Sequence, residues 1–480
     1  MSVFADEIVG SIMRYLGQFF MGIASAFLRL FGRKPKPTKP PPQVDYEARN
    51  PPANRKLASV EPRGVFFGTR GSQYVVKPED MDGHVLVCGT PGSGKSSCIA
   101  IPTLRHWKGA IFAVDIKGEL HANTKEHRKK IKVFDPQGKE NHYVYDPFVF
   151  LNESKNPAQE ARAIAQAIIP LPHDVKEPFW IESAQILLTG AILHYHHEKK
   201  TFIETLRKIQ SQNPQALIKV VTESPNDKAV LCAKSFEGME GKVLAGIFAE
   251  ISRGIIAIVT DDEIVAALSH ENGKEVISPA DLEKGDDVYI RIPEDLLRQW
   301  KNLLSLMINQ FITFFERRKE TPDNRPLLFL LDEFPRLGKI PAITDALATL
   351  RSKKITICLI IQSLGQLKMI YGHDAQEVIA DTCAFKAVLG ATDPNTQEYF
   401  SKLVGTYEKF RTSQSQSYDP YIGAPTGHGT QTSQDYEKRI IKPEEFATLQ
   451  EIILLYPLPK NFCPVQKRPY YLNNAQFSST

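Results

Sequence analysis

The chain has 480 residues, of which 42% are hydrophobic and 24% are charged, and its formal net charge is +4. This length leaves room for two or three domains with a sizeable core, and the composition is that of an ordinary globular protein. The small net charge excludes a strongly basic protein, so any contact with nucleic acid would depend on local patches or on oligomer symmetry. The 6 cysteines are scattered without a C-x-x-C pair, which argues against disulfides or a zinc site and favours a reducing compartment.

The first segment, from Ile8 to Phe31, is mostly apolar and about long enough to cross a bilayer at ~1.5 Å per residue. On a helix its polar residues would form one narrow stripe, made of Ser11, Arg14, Gln18, Ser25 and Arg29. We therefore predict a membrane-associating helix in residues 1–34, which either spans the bilayer or lies on its surface; an amphipathic core helix is the alternative. The basic residues directly after it favour a cytoplasmic location for the rest of the chain.

Residues 35–62 are predicted to form a linker, because the stretch from Pro35 to Pro52 is rich in Pro and Lys and should be extended, with polyproline character. The stretch from Gly64 to Val76 then predicts a hairpin that leads into the next strand.

The strongest motif fits the phosphate-binding pattern G-x-x-x-x-G-K-[ST] and reads Gly89-Thr90-Pro91-Gly92-Ser93-Gly94-Lys95-Ser96. An apolar run that ends at Cys88 predicts a buried strand before it, and the residues after Ser96 predict a helix. This order aims backbone N–H groups at a phosphate chain. Lys95 would reach the β- and γ-phosphates, the Ser96 hydroxyl would hold Mg²⁺, and Ser97 lies among the nucleotide contacts. The sequence therefore predicts a nucleoside triphosphate site.

A second buried strand is predicted from Gly109 to Asp115, and the polar run Asp115-Ile116-Lys117-Gly118-Glu119 ends it. Polar residues at the carboxyl end of a strand lie at the ligand edge of a parallel sheet. Asp115 and Glu119 could therefore approach the nucleotide or a neighbouring subunit, or they could be solvated charges in a turn. The sequence leaves both interpretations open.

From residue 156 to 276 the pattern turns helical, with helices predicted from Pro157 to Ala165, from Trp180 to His194 and from Gly241 to Val259. No strand alternation of comparable quality interrupts them. This region is predicted to be an all-α insertion domain that divides an α/β domain into residues 63–155 and 277–480.

Beyond the insertion, five apolar residues from Leu327 to Leu331 predict a strand that ends in Asp332-Glu333. This is the Walker B arrangement, in which Asp332 would hold the Mg²⁺ shell and Glu333 would orient and deprotonate the attacking water. A glutamate directly after the aspartate argues for hydrolysis rather than for nucleotide sensing.

The next predicted strand runs from Ile355 to Ile361 and ends in Gln362, whose amide could hydrogen-bond the γ-phosphate and relay its loss to the residues that follow. Two more sheet strands are predicted from Ala384 to Leu389 and from Glu451 to Tyr456. The Ser-, Gln- and Gly-rich run from Arg411 to Gln434 between them is predicted to be a mobile loop.

Four runs occur together and in order: Gly89-Thr-Pro-Gly-Ser-Gly-Lys-Ser96, Asp115-Ile-Lys-Gly-Glu-Leu120, Leu331-Asp-Glu-Phe-Pro-Arg-Leu-Gly338 and Ile361-Gln-Ser-Leu-Gly-Gln366. With them the chain, from about residue 60 to 460, resembles the type IV coupling proteins of conjugation and type IV secretion, the TraG/TraD type. The third run is the most specific, because generic RecA-like ATPases do not carry it.

The resemblance implies a RecA-like P-loop NTPase sheet of the α/β class with an inserted all-α domain, to which the segment from Ile8 to Phe31 adds the predicted N-terminal membrane-associating helix. It implies a homo-hexamer at the cytoplasmic face of the bacterial inner membrane, with ATP and Mg²⁺ as cofactors. The implied partners are single- or double-stranded DNA with a relaxase, and the components of a type IV secretion channel.

For the site, the resemblance matches Lys95 with the Walker A lysine, Asp332 and Glu333 with the Walker B pair, and Gln362 with a γ-phosphate sensor. It also matches Arg351 with an arginine supplied across the subunit interface. Two features depart from the family. Pro91 stands where a threonine is frequent, and only one apolar segment precedes the motor where the family usually has two transmembrane helices around a small periplasmic domain.

The leading hypothesis is an ATP-driven coupling protein that recruits relaxase–DNA or protein substrates and pumps DNA into a type IV secretion channel. A docking receptor for protein substrates that uses ATP only for gating is the alternative, since no basic tract in the sequence separates the two. A small-molecule P-loop kinase would need an Arg-rich lid near the sheet edge, which the helical insertion does not resemble.

Overall fold

A large mixed β-sheet lies at the centre of the computed structural model, which describes residues 48–138, 143–172, 175–269, 273–418, 425–458 and 461–472. The strands are β1 (Ala58–Ser59), β2 (Val65–Arg70), β3 (Gln73–Lys77), β4 (Val85–Cys88), β5 (Ala110–Asp115), β6 (Ile131–Phe134), β7 (Tyr143–Val144), β8 (Glu275–Val276), β9 (Asp287–Arg291), β10 (Leu327–Leu331), β11 (Ile355–Ile361), β12 (Phe385–Val388), β13 (Thr406–Tyr418), β14 (Pro425–Arg439), β15 (Ile452–Leu455) and β16 (Phe462–Val465). Within these described ranges the main sheet has nine strands in the order β16-β15-β12-β4-β11-β10-β5-β9-β6. The strands from β12 to β6 all run parallel, and β15 and β16 add an antiparallel edge.

The central strands are apolar throughout because both faces of the sheet are covered. Every residue of β4, β5, β10 and β11 is buried. Successive residues of β10 point into different cores, so that Phe329 packs on one face and Leu328 on the other. The parallel arrangement brings the carboxyl ends of all these strands to one edge of the sheet, where ligands bind in folds of this class.

Sixteen α-helices have their bounds within the described part of the chain. They are α1 (Ile101–His106), α2 (Glu119–Thr124), α3 (Phe148–Glu153), α4 (Pro157–Ile168), α5 (Phe179–His197), α6 (Phe202–Gln210), α7 (Pro214–Thr222), α8 (Asp227–Lys234), α9 (Gly241–Val259), α10 (Asp262–Ala267), α11 (Pro279–Lys284), α12 (Leu297–Glu316), α13 (Ile343–Thr349), α14 (Leu364–Tyr371), α15 (His373–Thr382) and α16 (Pro394–Val404). A π-helical turn, Lys95–Ala100, precedes α1, and short 3₁₀ turns include Phe334–Leu337, Arg351–Lys353 and Pro443–Thr448.

Helices α3 to α10 follow one another without an intervening strand in the described residues between β7 and β8. Helix α5 is buried along most of its length and forms the centre of this helical region. Helix α9 packs closely against the first turn of α5. A Cβ atom at Gly246 of α9 would lie 2.7 Å from the ring of Trp180 in α5. Local capping sets the helix starts, as where Thr201 and Glu204 form a reciprocal capping box at the start of α6.

The run from Arg411 to Gln434, predicted to be a mobile loop, instead lies mainly in a two-stranded antiparallel ribbon of β13 and β14, so that prediction was wrong. The described register runs from Thr406 opposite Arg439 to Tyr418 opposite Pro425. A Ser/Gln/Gly composition shows only that a segment lacks an apolar face. In this ribbon the two strands satisfy each other's backbone groups by mutual hydrogen bonds, a pairing that the composition of the segment does not reveal.

The predicted linker of residues 35–62 extends too far along the chain. Leu57 is fully buried, its carbonyl accepts a hydrogen bond from the Val76 N–H at 2.9 Å, and β1 pairs with β3. Pro51–Thr480 accordingly form one compact unit. The predicted membrane helix, from Ile8 to Phe31, lies outside the described residues. Of the helices that the structure does describe, none is long and apolar enough to cross a membrane.

Candidate functional site

The predicted phosphate-binding loop joins the carboxyl end of β4 to the π-helical turn that begins at Lys95. Gly92 and Gly94 have φ angles of 74° and 100°, a left-handed conformation that glycine adopts without steric cost. A Cβ atom at Gly89 would lie 2.4 Å from the Ser93 Oγ and 3.1 Å from the Lys95 Cγ, so both side chains would have to shift. The loop therefore wraps tightly around the start of a helix, whose first N–H groups point towards it.

The Lys95 side chain closes this loop on itself. Its ammonium donates hydrogen bonds to the carbonyl oxygens of Gly89 at 2.7 Å and Thr90 at 3.2 Å. Burial lowers the pKa of Lys95, and the nearby charges of Glu333 and Asp332 oppose that shift. The Lys95 ammonium thus lies where a phosphate chain would bind, and its contacts are with carbonyl oxygens that an anion can replace.

Asp332 follows β10 at the same edge of the sheet, and its side chain is almost inaccessible to solvent. Its Oδ1 accepts a hydrogen bond from the Glu333 N–H at 3.1 Å, whereas its Oδ2 has no hydrogen-bond partner among the described residues. Burial, with the negative charge of Glu333 as a second cause, raises the pKa of Asp332 to about 7. A buried carboxylate oxygen without a donor is an unfavourable arrangement that a bound cation would relieve.

Glu333 has a φ angle of 48°, which is uncommon for a residue with a side chain and costs about 1 kcal/mol or more. Its Oε2 accepts a hydrogen bond from Gln362 Nε2 at 2.9 Å, and its Oε1 lies 3.4 Å from Lys117 Nζ. Gln362 Oε1 in turn accepts a hydrogen bond from Gln366 Nε2 at 3.3 Å. A chain of polar contacts therefore leads from the Glu333 carboxylate to helix α14, whose first residue is Leu364.

Asp115, at the end of β5, and Glu119, at the start of α2, lie in different environments. Asp115 is buried, and its Oδ2 accepts a hydrogen bond from the His121 N–H at 2.8 Å, which ties the start of α2 to the strand end. Because Val114 pairs with Leu331, Asp115 stands beside Asp332 on the neighbouring strand. Burial raises the pKa of Asp115. It is therefore not a solvated turn residue, while Glu119 occupies the first turn of α2.

The structure brings together the residues predicted for phosphate contact and for hydrolysis, namely Gly89, Thr90, Pro91, Gly92, Ser93, Gly94, Lys95, Ser96, Ser97, Asp332, Glu333 and Gln362. It does not bring Arg351 to them. Arg351 is exposed and precedes β11, whereas Gln362 follows that strand, so the two lie about 20 Å or more apart at opposite edges of the sheet.

Two further contacts at this edge were not predicted. One is the contact of Lys117 with Glu333, although Lys117 lies within the polar run from Asp115 to Glu119. The other is the carboxyl-terminal segment, since the Tyr470 N–H donates to the Ser97 carbonyl at 3.0 Å. That carbonyl lacks its helical donor because the π-helical turn shifts the hydrogen bonds by one residue and Pro102 has no N–H. The segment after β16 therefore braces the helix that carries the phosphate loop.

A family model described as the type IV secretory system conjugative DNA transfer family matches residues 46–473. The chain belongs to this family. The predicted resemblance to the type IV coupling proteins is thereby confirmed.

Curated relatives agree with the family. The chain is 28% identical over 393 residues to VirD4 of Agrobacterium fabrum strain C58, which covers 78% of this chain and 56% of VirD4. It is 25% identical over 425 residues to a conjugal transfer protein TraG of Escherichia coli, which covers 78% of this chain and 65% of TraG. The chain thus spans somewhat more than half the length of the curated relatives that it matches.

Solved structures of the conjugative coupling protein TrwB share the fold. An unbound form superposes with a TM-score of 0.66 at 20% identity and covers 84% of this chain and 88% of that one. A complex of TrwB with ADP and Mg²⁺ gives a TM-score of 0.64 at 19% identity, with coverage of 85% and 90%. The predicted fold class, a RecA-like α/β NTPase sheet with an all-α domain, is confirmed.

Proposed function

We propose that this family member is an ATP-driven coupling protein, which recruits relaxase–DNA or protein substrates and pumps DNA into a type IV secretion channel. The observation that carries the proposal is the meeting of Lys95, Asp332, Glu333 and Gln362 at the carboxyl edge of one parallel sheet. We further propose that it acts as a homo-hexamer at the cytoplasmic face of the bacterial inner membrane. The family match, and the conjugal transfer role in the name of TraG, support this wider role.

The residues at this edge fit a magnesium–ATP complex. The unpartnered Oδ2 of Asp332 and the hydroxyl of Ser96 are the hard oxygen donors that Mg²⁺ prefers. The loop glycines leave room for phosphates close to the backbone. When bound, Mg²⁺ would neutralise charge on the β- and γ-phosphates. That TrwB has been crystallised with a non-hydrolysable ATP analogue and with ADP and Mg²⁺ supports the same assignment.

The chain's own residues then divide the work. Lys95 would give up the carbonyl oxygens of Gly89 and Thr90 and place its ammonium on the phosphates, where it counters the charge that develops. Glu333 would hold the attacking water and take its proton, which requires a free carboxylate oxygen. Gln362 would exchange Glu333 for the γ-phosphate and pass the change to α14 through Gln366.

We propose that Arg351 acts on the ATP of a neighbouring subunit. Its position at the opposite edge of the sheet separates it from the phosphate loop of its own chain. Only a nucleotide bound to another copy would then meet its guanidinium. Such an arginine supplied in trans is worth ~10³-fold or more in rate in well-studied systems.

The test is to measure nucleotide binding and ATP hydrolysis by the full chain and two variants. Lys95→Ala should lose both, because it removes the point charge at the phosphates. Glu333→Gln should keep ATP binding and lose hydrolysis, because an amide cannot accept the proton of the attacking water. Hydrolysis by Glu333→Gln at the parent rate would show that the Walker B assignment is wrong.

A further inference from the structure

The lysine at position 117 lies in the turn between β5 and α2, beside the proposed hydrolysis site. The Asp115 carboxylate fixes this turn by accepting a hydrogen bond from the His121 N–H. Gly118, with a φ of 72°, lets the chain change direction within the turn. The turn therefore has a defined shape, which directs the Lys117 side chain back across the sheet edge towards the end of β10. There its Nζ lies 3.4 Å from Glu333 Oε1.

The two partners of this ion pair have very different environments. The Glu333 side chain is 4% exposed and the Lys117 side chain is 45% exposed. Burial acts to lower the pKa of Lys117, but the attraction of Glu333, Asp332 and Glu119 outweighs it, so the pKa is raised. Lys117 thus remains charged beside a group of carboxylates, and its exposed stem leaves it free to move.

The ion pair of Lys117 with Glu333 places a positive charge directly on the proposed catalytic carboxylate. Lys95 is already engaged with loop carbonyls, so Lys117 is the cation that the described residues place directly on the Glu333 carboxylate. The carboxylate is held on both sides, by Lys117 and by Gln362. Each oxygen of Glu333 therefore already accepts one contact, and the Lys117 ammonium competes with any water molecule for Oε1. Withdrawal of Lys117 would leave Oε1 to the attacking water.

We propose that Lys117 moves from Glu333 to the γ-phosphate when ATP binds, and so acts as a catalytic residue that distinguishes ATP from ADP and releases Glu333. This inference rests on the proposed ATPase function. The γ-phosphate would bring more negative charge than the carboxylate to the same corner of the site, beside Glu333 and Gln362. A lysine offers a compact charge on a flexible stem and can follow that charge over a short distance. ADP lacks the γ-phosphate and would leave the pair with Glu333 in place.

The experiment compares Lys117→Met and Lys117→Arg with the parent chain, and Lys228→Met is the matched control. Lys228 is an exposed lysine on α8, in the helical region. The affinities for ADP and for a non-hydrolysable ATP analogue are measured by calorimetry, and ATP turnover is measured separately. Lys117→Met should weaken analogue binding about tenfold, as expected for the loss of one charge-assisted hydrogen bond, and should change ADP binding less than about twofold.

Turnover at saturating ATP should also fall at least about tenfold in Lys117→Met, and Lys117→Arg should recover most of the analogue affinity because it keeps the charge. Lys228→Met should match the parent chain in every measurement. An equal loss of ADP and analogue affinity would assign Lys117 to the shape of the turn and overturn the inference, as would unchanged binding of both. If the parent chain itself bound neither nucleotide, the proposed function would fail first, and that result is distinguishable from a defect confined to Lys117→Met.

Discussion

Replacing Asp332 by Asn should stabilise the nucleotide-free protein at alkaline pH, although it removes a proposed magnesium ligand. Asp332 is 1% exposed, and one of its carboxylate oxygens has no donor among the described residues. Its pKa rises from the usual 3.8 to about 7 because of burial and the charge of Glu333. An asparagine has the same shape as the aspartate and keeps the oxygen that accepts the hydrogen bond from the Glu333 N–H, but it carries no charge.

The sign of the pH dependence follows from which state holds the proton more tightly. Because the pKa of Asp332 is raised in the folded state, the folded protein binds more protons than the unfolded chain between about pH 4 and pH 7. The free energy of unfolding therefore falls as the pH rises through this window. At about 1.4 kcal/mol for each pH unit, the ionisation of Asp332 lowers the free energy of unfolding by about 4 kcal/mol at pH 8 and by about 2 kcal/mol at pH 5.

The assay is thermal unfolding of the full chain with EDTA and without nucleotide, at pH 5 and pH 8. In a unit the size of Pro51–Thr480, 1 kcal/mol moves the midpoint by about 1 °C. The advantage of Asp332→Asn over the parent chain should therefore be about 2 °C larger at pH 8 than at pH 5. Addition of ATP and Mg²⁺ should reverse the order of the two proteins, because only the parent chain keeps the metal ligand.

Asp287→Asn is the matched control, since Asp287 is also buried but accepts hydrogen bonds from the Arg128 guanidinium at 2.7 Å through both oxygens. Its replacement leaves Arg128 without its ionic partner and should lower the midpoint at both pH values. If Asp332→Asn behaved in the same way, or if its effect were the same at pH 5 and pH 8, the assignment of Asp332 as a buried carboxylate with one unpartnered oxygen would be refuted.

Two more predictions concern assembly and membrane attachment. Arg351→Ala should bind ATP and hydrolyse it very slowly, and mixing it with Lys95→Ala should restore some turnover in rings that contain both variants; no recovery in such rings would count against a trans role. Deleting residues 1–42 should yield a soluble, monomer-prone ATPase of low activity, and recovery of the undeleted chain wholly in the soluble fraction of its native cell would contradict the predicted anchor.

The parts of the fold that the sequence predicts best are those whose local pattern and tertiary environment agree. The strands Leu327–Leu331 and Ile355–Ile361 are predicted to the residue, because a parallel strand buried on both faces reads as an apolar run between polar ends. Helix Gly241–Val259 is also predicted to the residue. The edge strand Phe462–Val465 is also a short apolar run between polar residues, but it contains a proline, which argues against a strand, and it was missed.

The residues of the candidate site also differ in how far a local sequence pattern predicts them. Lys95, Asp332, Glu333 and Gln362 stand at strand ends, so parallel topology alone brings them to one edge. Their hydrogen-bond partners depend on side-chain geometry that no spacing reports. The contact of Lys117 with Glu333 joins residues far apart in sequence and depends on the shape of one turn. The ribbon of β13 and β14 was missed because backbone pairing leaves no apolar signature in a polar segment.

The proposal that ATP hydrolysis drives DNA transport makes the ATPase rate of the full chain, with and without single- and double-stranded DNA, the decisive measurement. The measurement is made at two salt concentrations, because contacts to phosphates weaken as salt rises. Lys95→Ala provides the background rate. DNA should raise the ATPase rate well above the DNA-free value, more so at low salt, and Lys95→Ala should abolish that rate. An ATPase rate unchanged by either form of DNA would contradict the motor and favour a docking receptor that uses ATP only for gating.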